Sequence, residues 1–323
     1  MAHAIRWVVA AWVCWANPAP LAAQPAVPTP PGPARLLIGL PPGGGVDQVA
    51  RLLADGLSQH WDNSLVVENR TGARGNVAAE AVARAEPDGR VLGAISSGTL
   101  VLNRHLSRQM GYDPQADLTP ISRFAALPLM MMGGGRDGPR TLAELLENLR
   151  ARSTACGTPG AGTLPHLALE LLLRSTNTRC DIVHYRGVNA PVQDLLQGSL
   201  QVYVDSAVIG LPLVRDGRAR FLAITSRTRS ALHPDVPTVG ETVPGFEAEI
   251  WIALMGPKGM AESLVARIEA AAIAVARDPA VVHRLRAMSA EPVGGTRAEL
   301  AATIRAQDSI WGPVARAAGI AAD

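Results

Sequence analysis

A short apolar run, Arg35-Leu-Leu-Ile-Gly-Leu40, breaks into Pro41, Pro42, Gly43, Gly44 and Gly45 before apolar residues resume at helical spacing towards His60. This order predicts a strand, a glycine loop and a helix. The first N–H groups of a helix have no partner within it and sit at its positive end, and glycines let a ligand approach the main chain closely. The stretch therefore predicts an anion-binding cradle, the alternative being a plain strand-to-helix turn. A phosphate-binding P-loop is excluded, because Gly45 is followed by Val46 and Asp47 rather than by Lys and Ser or Thr. Glu68 has the offset of a dinucleotide site, but contiguous glycines do not match the spaced fingerprint. A small carboxylate needs only two or three donors and fits this loop better than a polyphosphate.

The same unit recurs along the chain. Val49, Ala50, Leu53 and Leu57 predict the first helix, Leu65-Val-Val67 the next strand, residues 77–85 a helix and residues 91–96 a strand. Residues 121–132 are strand-like, and Thr141-Leu-Ala-Glu144 is a capping box before a helix carrying Leu142, Leu145, Leu146 and Leu149. Strands follow at 154–157, 180–185, 200–205 and 221–225, with helices to about 175 and over 190–197. The C-terminal part predicts helices over 261–277 and 279–288, and a last one capped by Thr296-Arg-Ala-Glu299. Alternation of this kind predicts an α/β fold with mainly parallel sheets flanked by helices, and two lobes facing across a cleft.

Residues 1–23 carry Arg6, a short apolar run from Trp7 to Trp15 and a small-residue segment ending Ala22-Ala23, the layout of a cleaved secretory signal peptide. Residues 24–34 are proline-rich and predict an extended linker. The mature chain is expected to be periplasmic. Charge is nearly balanced, 30 Lys plus Arg against 28 Asp plus Glu, with no basic block, so nucleic acid is not an expected partner. Beyond the leader, Cys156 and Cys180 are either a disulfide or two buried thiols, a choice that depends on the separation of their Cα atoms. The histidines lack metal-ligand spacing. Neither a metal nor a cofactor is expected.

In open α/β sheets ligands bind beyond the carboxyl ends of strands, which directs attention to the loops at 41–47, 96–99, 158–163 and 185–189. Two of them are glycine loops placed before helices. One from each lobe could grip a small dicarboxylate.

With Leu40-Pro-Pro-Gly-Gly-Gly-Val-Asp47, Val66-Val-Glu-Asn-Arg70, Gly157-Thr-Pro-Gly-Ala-Gly-Thr163, His166-Leu-Ala-Leu-Glu170, Tyr185-Arg-Gly187, Asp194-Leu-Leu-Gln-Gly198 and Asp235-Val-Pro-Thr238, residues 35–323 resemble the periplasmic receptors of tripartite tricarboxylate transporters, the Bordetella uptake gene family. The resemblance implies a Venus-flytrap fold, with one lobe from residues 35–123 and 226–323 and the other from 124–225. Strands near 122–132 and 221–225 would cross between them. It implies a non-catalytic monomer that closes on a small carboxylate, held largely by main-chain N–H groups and ordered water, and presents it to membrane subunits.

Carried over by position, Pro42, Gly43, Gly44 and Asp47 belong to the first binding loop and Thr158, Gly160, Gly162 and Thr163 to the second. Ser97 and Thr99 could add hydroxyls from the first lobe, and Tyr185, Arg186, Gly187, Asp205 and Ser206 could add contacts from the second. Arg186 is alternatively a solvated surface charge. Asp205 either caps the helix that follows it or faces the cleft, where its charge would repel a second carboxylate and favour an amino group or hydroxyl. The chain departs from the family pattern at Gly39-Leu40, where Pro-Phe is usual, and at His184, where proline is usual. His184 either packs beside the pocket or faces it as a titratable group. A ligand-sensing protein docked on a signalling receptor such as a sensor kinase would use the same fold, and an exported α/β enzyme is the third reading. Against the enzyme, no Gly-x-Ser-x-Gly elbow and no local Cys–His signature is present.

Overall fold

The computed structural model describes residues 33–61, 63–107, 109–135, 137–185 and 189–317. The leader and most of the linker lie outside them. In chain order the elements are β1 (Ala34–Ile38), α1 (Gly45–Trp61), β2 (Leu65–Asn69), α2 (Asn76–Ala83), β3 (Val91–Ser96), α3 (Asn103–Leu106), β4 (Leu118–Gly134), α4 (Leu142–Ala151), β5 (Ala155–Thr158) and α5 (Leu164–Ser175). They continue with β6 (Asp181–His184), α6 (Asn189–Gln197), β7 (Val202–Ser206), α7 (Ala207–Arg215), β8 (Ala219–Ile224), β9 (Glu249–Pro257), α8 (Glu262–Arg277), α9 (Pro279–Ala287), β10 (Glu291–Gly295) and α10 (Arg297–Ala317).

One long strand organises the sheet. β4 pairs antiparallel with β9 from Leu118 to Pro128, then changes neighbours and pairs with β7 and β8 from Leu129 onward. The sheet runs β2-β1-β3-β9-β4-β7-β5-β6, with β8 and β10 also on β4. Its two outer thirds are the parallel βα units that the alternation predicts, with β1 parallel to β2 and β3, and β5 parallel to β6 and β7. The middle is antiparallel, so the sheet as a whole is mixed. β4 can join both parts because its residues are apolar on both faces: Phe124, Leu127, Leu129, Met130 and Met131 are all buried. Each such side chain contributes roughly 2 kcal/mol on burial.

Where β4 changes neighbours, Thr225 is fully buried beside it. The Thr225 N–H donates to the Leu129 carbonyl at 3.0 Å, and the Leu129 N–H donates to Thr225 Oγ1 at 3.1 Å. The Ala248 N–H donates in turn to the Thr225 carbonyl. The expected strand at 221–225 thus ends as β8 on the far part of β4, and the chain returns to the near part as β9.

Helices cover the faces with the stripes their periodicity predicts. α1 buries Val49, Leu53 and Leu57 against α8, where a β-carbon on Gly56 would lie 2.4 Å from Val275. Thr141 caps α4 by accepting from the Glu144 N–H at 3.1 Å, and Glu144 reaches back to the Arg140 N–H. Cys156 and Cys180 form a disulfide with their Cα atoms 6.1 Å apart, tying β5 to the segment that precedes β6. No helix among the described residues is long and apolar enough to cross a membrane.

Candidate functional site

The loop after β1 is built from behind. Gly43 takes φ +82°, a left-handed conformation that glycine adopts without penalty, and its N–H donates to Asp47 Oδ2 at 2.9 Å. Asp47 is almost fully buried and also accepts from Arg51 and from Asn69 Nδ2, which itself donates to the Leu40 carbonyl. Burial alone would raise the Asp47 pKa, but the hydrogen bonds from Arg51, Asn69 and Gly43 outweigh it and hold the carboxyl below its ordinary range. The clip fixes the loop and leaves Gly44, Gly45 and Val46, at the start of α1, lining a cavity of about 180 Å³.

Two more helices begin at the same cavity. After β5 the chain passes through Pro159 and Gly162 (φ +72°) into α5, which has Thr163 as its N-cap and proline in its first turn. The Gly162 N–H donates to His166 Nδ1 at 3.0 Å, and Thr163 Oγ1 donates to the Gly160 carbonyl at 2.7 Å. After β7, Ser206 is the N-cap of α7, and Asp205 and Ser206 both line the cavity. Three helix N-termini, those of α1, α5 and α7, therefore open on one space. Each carries partial positive charge from its unpartnered N–H groups, and together they favour an anion.

Between these ends stand Arg74 and Asp205. Arg74 sits in a run of positive φ, from Gly72 to Gly75, that would be strained if nothing held it. It is held by two side chains from the segment after β3, for Thr99 Oγ1 and Asn103 Nδ2 both donate to the Arg74 carbonyl, at 3.0 and 3.1 Å. Its guanidinium Nη2 donates to Ser107 Oγ and to the Leu106 carbonyl. Asp205 is half-buried, with Oδ1 accepting from the Ser206 N–H at 2.6 Å and Oδ2 from the Tyr203 hydroxyl at 2.8 Å. Burial pushes its pKa up, partly offset by those two donors. The remaining walls are largely apolar, with Leu40, Leu127, Ile209 and Ile250 among them.

Of the residues singled out in the sequence, Pro42, Gly44, Thr99, Gly162, Thr163, Asp205 and Ser206 line this cavity. Others stand behind it. Gly43, Asp47 and Gly160 shape the loops, as described. Ser97 Oγ accepts from the Trp251 N–H and joins β3 to β9. Thr158 is fully buried, with Oγ1 2.8 Å from His184 Nδ1. Tyr185 donates to Asp194 at 2.6 Å, and burial followed by that carboxylate pushes its pKa up to about 12. Arg186 and Gly187 lie outside the described residues. His184 is not among the residues lining the cavity and stands edge-on to His166, with 4.5 Å between ring centroids.

Sequence reasoning did not single out Arg74, although it lines the cavity. Its neighbours Thr-Gly-Ala-Arg-Gly-Asn read as an ordinary loop, and only the hydrogen bonds from Thr99 and Asn103 bring it inward. The apolar wall residues Leu127 and Ile250 were hidden for a related reason, since they belong to long, mostly buried strands that show no alternation of apolar and polar residues around them.

Comparison with known proteins decides the family. A family model described as the tripartite tricarboxylate transporter family receptor matches residues 49–320. The chain belongs to that family. It is 31% identical over 294 residues to protein BugT of Bordetella pertussis, covering 90% of each chain. Among solved structures it is similar to an R. palustris protein determined with adipate, at 31% identity and a TM-score of 0.85, covering 91% of this chain and 99% of that one. It is also similar to MatC from Rhodopseudomonas palustris with bound malate, at 27% identity and a TM-score of 0.80, covering 89% of this chain and 100% of that one. The periplasmic binding protein BugD, at 26% identity and a TM-score of 0.83, shares the fold. The architecture is thus the α/β fold of periplasmic binding proteins, and the family is one of receptors rather than enzymes.

Proposed function

We propose that this chain is a periplasmic receptor that captures a small organic acid in the cavity between α1, α5 and α7 and presents it to the membrane subunits of a tripartite tricarboxylate-type transporter. The observation that carries this reading is the convergence of three helix N-termini and Arg74 on one largely apolar space. Backbone donors at fixed positions recognise a carboxylate without side-chain rearrangement. Support comes from the structural relatives solved with adipate and with malate.

In this reading residues 35–123 and 226–323 form one lobe and residues 124–225 the other. The partner change in β4 beside Thr225 is the joint about which they close. A ligand that touches Gly44 on one side and Thr163 or Ser206 on the other stabilises the closed form, because only that form offers both sets of contacts. Export through the N-terminal leader places the mature protein in the periplasm.

A thermal-shift screen of mono-, di- and tricarboxylates, hydroxy acids and amino acids, followed by calorimetry, tests the function. Binding to the native state raises the apparent stability by mass action, so at least one carboxylate raises the Tm. A flat response across the whole set, with the protein folded, refutes the reading.

A further inference from the structure

Two charged side chains line the cavity, and they differ in sign. Among the described residues lining it, Arg74 is the sole cation and Asp205 the sole carboxylate. They stand at separate places. Arg74 lies against the loop before α5, where a β-carbon on Gly162 would be 3.0 Å from Arg74 Cδ. Asp205 adjoins the contact of Ser206 with Gly45 at the start of α1.

Resting on the carboxylate-receptor reading above, we infer that the cavity selects a monocarboxylate whose second polar group is a hydrogen-bond donor, an ammonium or a hydroxyl, received by Asp205, and that it discriminates against a second carboxylate.

The hydrogen bonds give the reason. Both Asp205 oxygens act as acceptors, one from the Ser206 N–H and one from the Tyr203 hydroxyl. The two donors favour the ionised form against the opposing effect of burial, and each oxygen keeps a lone pair for a further donor from the ligand. A dicarboxylate would set three carboxylates against one guanidinium in a space with apolar walls, where like charges are weakly screened. An amino acid balances the same set, with its carboxylate facing Arg74 and the helix ends and its ammonium facing Asp205. A hydroxy acid leaves one excess negative charge but still supplies the donor. Leu127, Ile209 and Ile250 offer an aliphatic frame between these polar points.

Calorimetry at pH 7.5 tests this on butyrate and caproate frames, each bare or carrying a hydroxyl or an ammonium at the α or the ω carbon, set beside succinate and adipate. The expected result is that a hydroxy or amino form binds at least about tenfold tighter than the dicarboxylate of the same frame, a discrimination that one charge reversal readily supplies. In Asp205→Asn the advantage shrinks to about threefold or less. Succinate or adipate binding tightest in the wild type, or a preference unmoved in Asp205→Asn, overturns the inference and leaves the receptor reading standing. Absence of binding by every acid in the set overturns both. Should the variant not fold, the wild-type ranking decides alone.

Discussion

Gly45 and Ser206 meet with no room for a β-carbon between them: one built on Gly45 would lie 2.7 Å from Ser206 Oγ and 3.0 Å from Leu127 Cδ2. The start of α1 is thereby packed onto the start of α7, and the two helix ends open on a single cavity. Gly44 is different, since a β-carbon there would meet only the Pro41 carbonyl at 3.6 Å. Gly45→Val should therefore force the two ends apart and weaken binding of any ligand by about tenfold or more, about 1.4 kcal/mol. Gly44→Ala should leave the loop in place. Calorimetry on both variants with the best acid from the screen checks the contrast, and equal losses would reject it.

Asp47 supports the loop without lining the cavity. Replacing it with alanine strips acceptors from the Gly43 N–H, the Arg51 guanidinium and Asn69 Nδ2. Water can reach these partly exposed donors, so the loss is that of hydrogen bonds to a buried charged acceptor, about 2 kcal/mol of stability. Affinity should fall with it, because Gly43 then loses its tether. Urea titration and calorimetry on Asp47→Ala measure both, and wild-type values in each would show that the clip is dispensable.

The disulfide joins residues 24 apart in sequence. Constraining a loop of that size in the unfolded chain stabilises the native state by about 3 kcal/mol. Unfolding midpoints measured with and without reductant should differ accordingly. The Cys156→Ala, Cys180→Ala double variant should match the reduced protein and gain nothing from oxidation.

Stability should fall on mild acidification, and His166 supplies the sign. Burial first, and then the neighbouring charge of His184, lower its pKa from the ordinary 6.5 to about 4. Its Nδ1 accepts the Gly162 N–H, a bond that only an unprotonated nitrogen can receive. Between pH 6.5 and about 4 the unfolded chain binds the proton and the folded chain does not. The contribution is thus complete above the unfolded pKa and is lost as pH falls through the folded one, by something on the order of 3 kcal/mol. His184 and His233 are shifted down by burial as well and act in the same direction. Unfolding free energy followed from pH 7 to 4 should show a steeper fall for the wild type than for His166→Asn, and parallel curves would remove His166 from the account.

Helices were the most legible part of the fold. α1, α4 and α5 each carry an apolar stripe, and the capping oxygens of Thr141 and Thr296 accept from the Glu144 and Glu299 N–H groups at the starts of their helices. β9 was not anticipated. Its Ile250-Trp-Ile-Ala-Leu-Met255 core is apolar on both faces because it lies between β3 and β4 in mid-sheet, so it shows no alternation to read. β10 escaped for the opposite reason. Pro292, Gly294 and Gly295 are poor strand formers, and the segment pairs with β4 alone, with a shift in register.

Much of the candidate site was legible as well, because glycine loops placed between strands and helices announce exposed backbone donors. Pro42, Gly44, Gly162 and Thr163 follow from that local logic, which depends only on residues adjacent in the chain. Arg74 and Asp205 do not. Arg74 lines the cavity in a left-handed turn whose carbonyl is held by Thr99 and Asn103, 25 and 29 positions away. Asp205 could equally have capped α7 or faced the cleft until Ser206 and Tyr203 were seen to hold it on the cavity wall. Periodicity and loop chemistry, being local, determine which segments are helices and where main-chain amides lie open. Which side chains share a space, and with what charge, is decided by contacts between distant parts of the chain, and only the packed sheet brings those together.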